Sequence, residues 1–209
     1  MTVADDLFAT LAGAPLVAIL RGVRPEEAVA IGRALVAGGV RVIEVPLNSP
    51  DPLSSIAALA TDLGGRALVG AGTVMTTTEV AAVADAGGRL IVSPTVDAEV
   101  IAATHARGLA SLPGAFTPTE IAAAHRAGAD AVKLFPAEVM GIGGIKAVRA
   151  VFPPAVRMIA VGGVTPDTAR AMLAAGCVGL GVGSALYRPG ATPDRVAAAA
   201  AAFRDGLAG

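Results

Sequence analysis

Residues 131–163, AVKLFPAEVMGIGGIKAVRAVFPPAVRMIAVGG, decide the fold. They open on an apolar run too short for a helix and stopped by proline. An alanine- and valine-rich amphipathic stretch follows, then a second short apolar run that ends in two glycines. Such a pattern reads as strand, helix, strand. Working outward, the same alternation fills the chain, with apolar runs at 15–20 (PLVAIL), 41–47 (RVIEVPL), 67–73 (ALVGAGT), 90–94 (LIVSP), 109–115 (LASLPGA) and 178–184 (VGLGVGS).

The segments between the runs carry helix signals. Thr76 with Glu79 and Thr117 with Glu120 have capping-box spacing. Pro25, Pro118 and Pro166 sit where first helical turns begin, a position that costs no hydrogen bond. Endings such as AGG, AGA and AGC supply glycine for a left-handed C-terminal turn. Eight evenly spaced strand–helix pairs with no composition break predict an α/β protein, a parallel (β/α)8 TIM barrel spanning residues 1–209 as one domain. An extra N-terminal helix around Asp5–Leu11 precedes the eight pairs. The alternative is an open doubly wound sheet, which alternates in the same way.

Composition narrows the function. A net charge of -1 with 16% charged residues argues against a nucleic-acid partner. The single cysteine, Cys177, excludes an internal disulfide and a cysteine-rich zinc site, and it reads as a small buried hydrophobe. The opening MTVADDLFATLAG is acidic and too weakly apolar for a secretory signal, and no apolar run is long enough to span a membrane. A cytoplasmic enzyme acting on a small molecule is the expectation, with neither nucleic-acid nor membrane partner. His105 and His125 fall on helical segments away from the strand ends, and no His/Asp/Glu cluster has metal-ligand spacing.

Two charges stand out because they sit inside apolar strands: Lys133 in AVKLFP and Glu44 in RVIEVPL. Side chains alternate along a strand, so Ala131, Lys133 and Phe135 share a face that points into the barrel. Burial disfavours the ammonium and lowers its pKa, and a neutral lysine is a nucleophile toward carbonyls. The same burial raises the pKa of Glu44 and suits it to carry protons near neutral pH. A structural reading stands beside this one: the two form a buried ion pair. The late stretches AVGGVTPDTAR and GVGSALYRPG pass from strand to helix where barrels often cradle phosphate, although turn chemistry alone also explains their glycines. Arg21 after the first strand is placed to clamp a carboxylate or to be a solvated loop residue.

VAILRG, IEVPLNSP, GAGTV, IVSP, PGAFTPTE, AVKLFPAE, AVGGV and GVGSALY, in this order, resemble the Schiff-base aldolases of 2-keto-3-deoxy-6-phospho sugar acids. The likeness runs from about Leu16 to Tyr187. It implies a homotrimer of (β/α)8 barrels that needs no metal or other cofactor, because the Schiff base on Lys133 is the electron sink. It implies Glu44 as general acid/base and Arg21 and Thr73 at the pyruvate-derived part of the substrate. Gly162, Gly163, Gly183 and Ser184 would bind phosphate, and Pro94 and Phe135 would line the pocket. Gluconate-type members commonly carry Thr-Leu-Arg-Thr after the strand-two glutamate and its valine. Here that stretch is Pro46-Leu47-Asn48-Ser49, so Asn48 stands in place of an arginine and Arg21 would supply the missing charge. This pattern resembles the galactonate branch, while FPAE around Glu138 is also common in the gluconate branch.

Overall fold

A computed structural model describes residues 2–208. Met1 and Gly209, the ends of the expected 1–209 unit, lie outside the described residues. The chain runs α1 (Val3–Gly13), β1 (Leu16–Ile19), α2 (Pro25–Ala37), β2 (Val42–Pro46), α3 (Pro52–Leu63), β3 (Leu68–Gly72), α4 (Thr77–Asp85), β4 (Leu90–Val92) and α5 (Ala98–Ala106). It continues with β5 (Ala110–Leu112), β6 (Gly114–Ala115), α6 (Pro118–Arg126), β7 (Val132–Leu134), α7 (Ala137–Val151), β8 (Met158–Val161), α8 (Pro166–Ala174), β9 (Gly179–Val182) and α9 (Pro193–Ala208).

All neighbouring strands pair in parallel, in the order β5-β4-β3-β2-β1-β9-β8-β7-β6. The two ends of that order belong to one run of chain. Pro113 lacks an N–H and splits the expected fifth strand into β5 and β6. Both neighbours still bond to this run: Ser93 N–H donates to the Leu112 carbonyl at 3.2 Å, and Lys133 N–H donates to the Pro113 carbonyl at 2.9 Å. The sheet is therefore closed, and the open doubly wound alternative is set aside.

Strand alternation sorts the core into two parts. Val17, Ile19, Val42, Leu68, Leu90, Val92, Leu112, Ile159 and Val161 form one cluster inside the barrel. Leu16, Ala18, Ile43, Val45, Val69, Ile91, Val132, Leu134, Met158 and Leu180 pack outward against the helices. Helix α1 plugs the amino end of the barrel with the buried Leu7 and Leu11, which join the interior cluster. Each such leucine contributes about 1.5–3 kcal/mol of burial. Arg89 pairs with Asp6 at 3.0 Å, and Arg157 sits 3.8 Å from the centre of the Phe8 ring, so strand entries hold the plug from two sides.

The helix signals read from the sequence are present. Thr76/Glu79 and Thr117/Glu120 form capping boxes, and Pro25, Pro118 and Pro166 occupy first turns. These caps set where each strand-to-helix loop stops, and hence where the loops at the carboxyl ends of the strands sit. Cys177 is buried against the shell, and burial raises its thiol pKa to about 11. His105 lies in the last turn of α5 and reaches Asp130 at 3.3 Å, a contact remote from the strand exits.

Candidate active site

The residues proposed from the sequence for the site lie within a strand or just beyond its carboxyl end. Arg21 follows β1, Glu44 is in β2 with Asn48 just after it, Thr73 follows β3, and Pro94 follows β4. Lys133 is in β7 with Phe135 just beyond, Gly162 and Gly163 follow β8, and Gly183 and Ser184 follow β9. Parallel strands present these ends to one mouth.

Lys133 and Glu44 are 8% and 3% exposed. Together with Val17, Ile19, Val92, Leu112, Ile159, Val161 and Gly181 they line a hollow of about 10 Å³, close to the room one water needs. The other residues lining this hollow are apolar, and burial dominates both titrations. It pushes the Glu44 carboxyl up to about 7, against the opposing pull of Lys133 and Arg21. It lowers the Lys133 pKa; Glu44 pulls the other way, and Arg21 adds to the lowering. The lysine ammonium lies 4.6 Å from the centre of the Phe135 ring, whose face offers partial compensation.

The buried ion pair read as an alternative from the sequence is not formed. Among the described residues the ion pairs join other groups, and the Glu44 Oε2 atom is buried with no hydrogen-bond partner. An unpaired buried carboxylate oxygen is costly. Its retention, beside a lysine it influences without bonding, fits a group waiting for a proton or a substrate atom.

The surrounding loops are shaped around this pair. A side chain at residue 72 would collide with the Glu44 carboxylate, so Gly72 clears the space that Glu44 fills. Thr73 has φ 60°, a left-handed conformation that a β-branched residue seldom adopts. Gly162 and Gly163 have φ 105° and 64°. A Cβ on either would strike the Glu138 side chain, which lies across this turn from the first helical turn of α7. Gly183 anchors the last loop through its carbonyl, which accepts from Leu186 and Tyr187 at 2.8 and 2.9 Å. Arg21 Nη1 donates to Asn48 Oδ1 at 3.5 Å, so the loops after β1 and β2 bring these two residues together.

Sequence reading missed Ser49 as a member of this constellation. Its Oγ accepts the Gly22 N–H at 2.9 Å and joins the loops after β1 and β2. The signal available was a hydroxyl one residue beyond Asn48, which means little until the two loops are seen side by side. In the sequence Glu138 stands out only as part of the FPAE motif, and its closeness to Gly162 and Gly163 depends on the β7–β8 adjacency. No cluster of three or more His, Cys, Asp or Glu side chains suited to a metal ion is found among the described residues. A roomier cleft of about 590 Å³ opens at the opposite, amino end and is lined by Asp6, Arg41, Arg66 and Arg89. Its arginines are engaged in structure: Arg41 donates to Val36 and Val40 carbonyls, Arg66 to Asp62, and Arg89 to Asp6.

A closed parallel barrel with a desolvated lysine and a desolvated carboxylate at its carboxyl end defines a class of barrel enzymes. More narrowly, the chain belongs to the family of KDPG and KHG aldolases, whose family model matches residues 8–197. It is similar to a probable 2-dehydro-3-deoxy-6-phosphogalactonate aldolase of Rhizobium meliloti (strain 1021), with 49% identity over 84% of this chain and 83% of that one. It is likewise similar to the 2-dehydro-3-deoxy-6-phosphogalactonate aldolase of Escherichia coli (strain K12), with 46% identity over 90% and 92% of the two chains. A solved structure described as native KDPGal aligns with a TM-score of 0.90 and 45% identity, covering 92% of this chain and 93% of that one.

Proposed function

We propose that this protein is a metal-independent Schiff-base aldolase that cleaves 2-dehydro-3-deoxy-6-phospho-D-galactonate to pyruvate and D-glyceraldehyde 3-phosphate in D-galactonate breakdown. The observation that carries the reading is the unpaired Glu44 carboxylate beside the desolvated Lys133 at one barrel mouth.

Lys133 Nζ attacks the C2 keto carbon, and loss of water gives the iminium. Glu44, through a water, takes the proton of the C4 hydroxyl as the C3–C4 bond breaks. The electron pair of that bond moves into an enamine, with the iminium nitrogen as its sink, and the aldehyde leaves. Glu44 then returns a proton to the enamine carbon, and water hydrolyses the pyruvyl imine to free Lys133. A carboxylate with a pKa of about 7 is suited to both directions of this shuttle. Arg21 and Thr73 hold the pyruvate-derived end, and Pro94 and Phe135 wall the pocket. Gly162, Gly163, Gly183 and Ser184 receive the phosphate with backbone N–H groups and a hydroxyl.

The pair Arg21–Asn48 carries the choice of epimer, because it removes the guanidinium from the strand-two loop and supplies it from the strand-one loop. The similarity to two galactonate-type relatives supports the same choice. Kinship further implies a homotrimer. The exposed Met75, Phe116 and Val139, in the loops and first turns of the catalytic end, supply apolar surface for contact between copies. The cytoplasm is the matching compartment for a phosphorylated substrate, and no helix among the described residues is long and apolar enough to cross a membrane.

Steady-state cleavage of the two C4-epimeric 6-phospho keto-deoxy acids, with pyruvate coupled to a dehydrogenase, tests the reading. The expected result is a kcat/KM ratio well above one in favour of the galactonate epimer. A ratio favouring gluconate would move the chain to the other branch, and no cleavage of either would leave a barrel that binds or assembles without catalysis.

A further inference from the structure

We propose that Ser49 and Gly22 are positioning residues that fix Arg21 relative to Asn48, and that this tether sets the discrimination between the C4 epimers; the proposal rests on the aldolase reading above.

Arg21 lies in an exposed turn, and a long cation on a free loop would spread its charge over many positions. Its side-chain contact to Asn48 is long, at 3.5 Å, the outer limit of a hydrogen bond, so that contact alone does not place it. The backbone around it does. Leu20 N–H donates to the Glu44 carbonyl at 2.9 Å, and Gly22 N–H donates to Ser49 Oγ at 2.9 Å. Arg21 is thus clamped on both sides by groups of the β2 strand and its loop. Ser49 is itself buried, and its N–H donates to the Pro46 carbonyl at 2.9 Å, so the accepting hydroxyl is held firmly.

Gly22 is required on two counts. Its φ is 80°, and a Cβ there would come within 3.0 Å of Pro189 Cγ in the loop after β9. The turn is therefore wedged between the β2 and β9 loops. Tyr187 reinforces the second side by donating from its hydroxyl to Glu27 Oε1 at 3.0 Å, which ties the β9 loop to the start of α2. One buried hydroxyl consequently fixes the distance between the two loops that bear Arg21 and Asn48. Epimers that differ in one hydroxyl are separated by small displacements of such groups, and a misplacement near 1 Å can cost about 10²-fold in rate.

The test measures kcat/KM for both epimers in the wild type and in Ser49→Ala, Ser49→Thr, Gly22→Ala and Arg21→Ala, with melting temperatures recorded for each. Ser49→Ala is expected to lower kcat/KM on the preferred epimer by tenfold or more and to narrow the epimer ratio. Ser49→Thr retains the hydroxyl and should keep the ratio near that of the wild type. Gly22→Ala perturbs the same tether from the Pro189 side and should repeat the effect if Ser49→Ala does not fold. A wild-type ratio in folded Ser49→Ala and Gly22→Ala, with Arg21→Ala impaired, would overturn the tether and leave the aldolase reading intact. An Arg21→Ala variant with wild-type kinetics would remove the role of Arg21 itself, and the tether proposal with it.

Discussion

The carboxylate of Glu44, in the middle of β2, fills the space that a side chain at Gly72, the last residue of β3, would need. The buried carboxylate and the small residue are thus one feature written in two strands. Gly72 has no left-handed φ, so its requirement here is space and not backbone conformation. Gly72→Ala should force Glu44 aside, at the roughly 1–3 kcal/mol typical of overpacking. A drop in kcat of tenfold or more is expected, with pyruvate still trapped on the enzyme by borohydride. Wild-type turnover in a folded Gly72→Ala variant would mean that the position of Glu44 does not matter.

Lys133→Ala should abolish cleavage of both epimers while the barrel still folds. The amine is buried without an ion pair, so its removal gives up little native stabilisation and relieves a desolvation cost. Thermal unfolding should show a melting temperature no lower than a few degrees below wild type. Retained activity would sink the nucleophile assignment, and a large loss of stability would favour a structural role for the lysine.

Glu44→Gln keeps the shape and removes the proton exchange. Imine formation should persist while turnover falls by about 10²–10⁴, the usual scale for lost acid–base help. The wild-type kcat/KM should decline as pH drops through about 7, where the carboxylate protonates and can no longer accept the C4 hydroxyl proton. In Glu44→Gln that limb should be gone. A limb of unchanged position in the variant assigns it to another group.

The same residue predicts a pH dependence of stability. Glu44 has a folded pKa of about 7 against an ordinary value of 4.5, so the folded state binds this proton more tightly than the unfolded chain. Stability is therefore lost as pH rises from about 4.5 to about 7, by a total on the order of 3 kcal/mol, and the loss persists above. Glutamine carries no such penalty. Denaturant unfolding should find Glu44→Gln gaining on wild type across that window and level beyond it; a gap that is constant with pH would contradict the burial argument.

The barrel was legible in the sequence because its period is simple: short apolar runs between capped, amphipathic stretches. The break at Pro113 lay inside a run that still behaves as one strand, so the unit count survived it. Lys133 and Glu44 were legible because a charge in an apolar strand has few explanations. Whether the two form an ion pair was not legible, since strand alternation sends both inward but does not fix the reach of either side chain. The contacts Ser49–Gly22 and Glu138–Gly162 were hidden for a related reason. Each joins loops from neighbouring units, and their spacing is set by barrel closure and not by local sequence.

The most direct measurement is borohydride reduction of the enzyme in the presence of pyruvate, followed by mass analysis of its peptides. The account predicts one reduced pyruvyl adduct per chain, on Lys133, and none on Lys146, the other lysine of the chain. Loss of activity should track the extent of modification. No adduct, or one confined to Lys146, would contradict the Schiff-base mechanism.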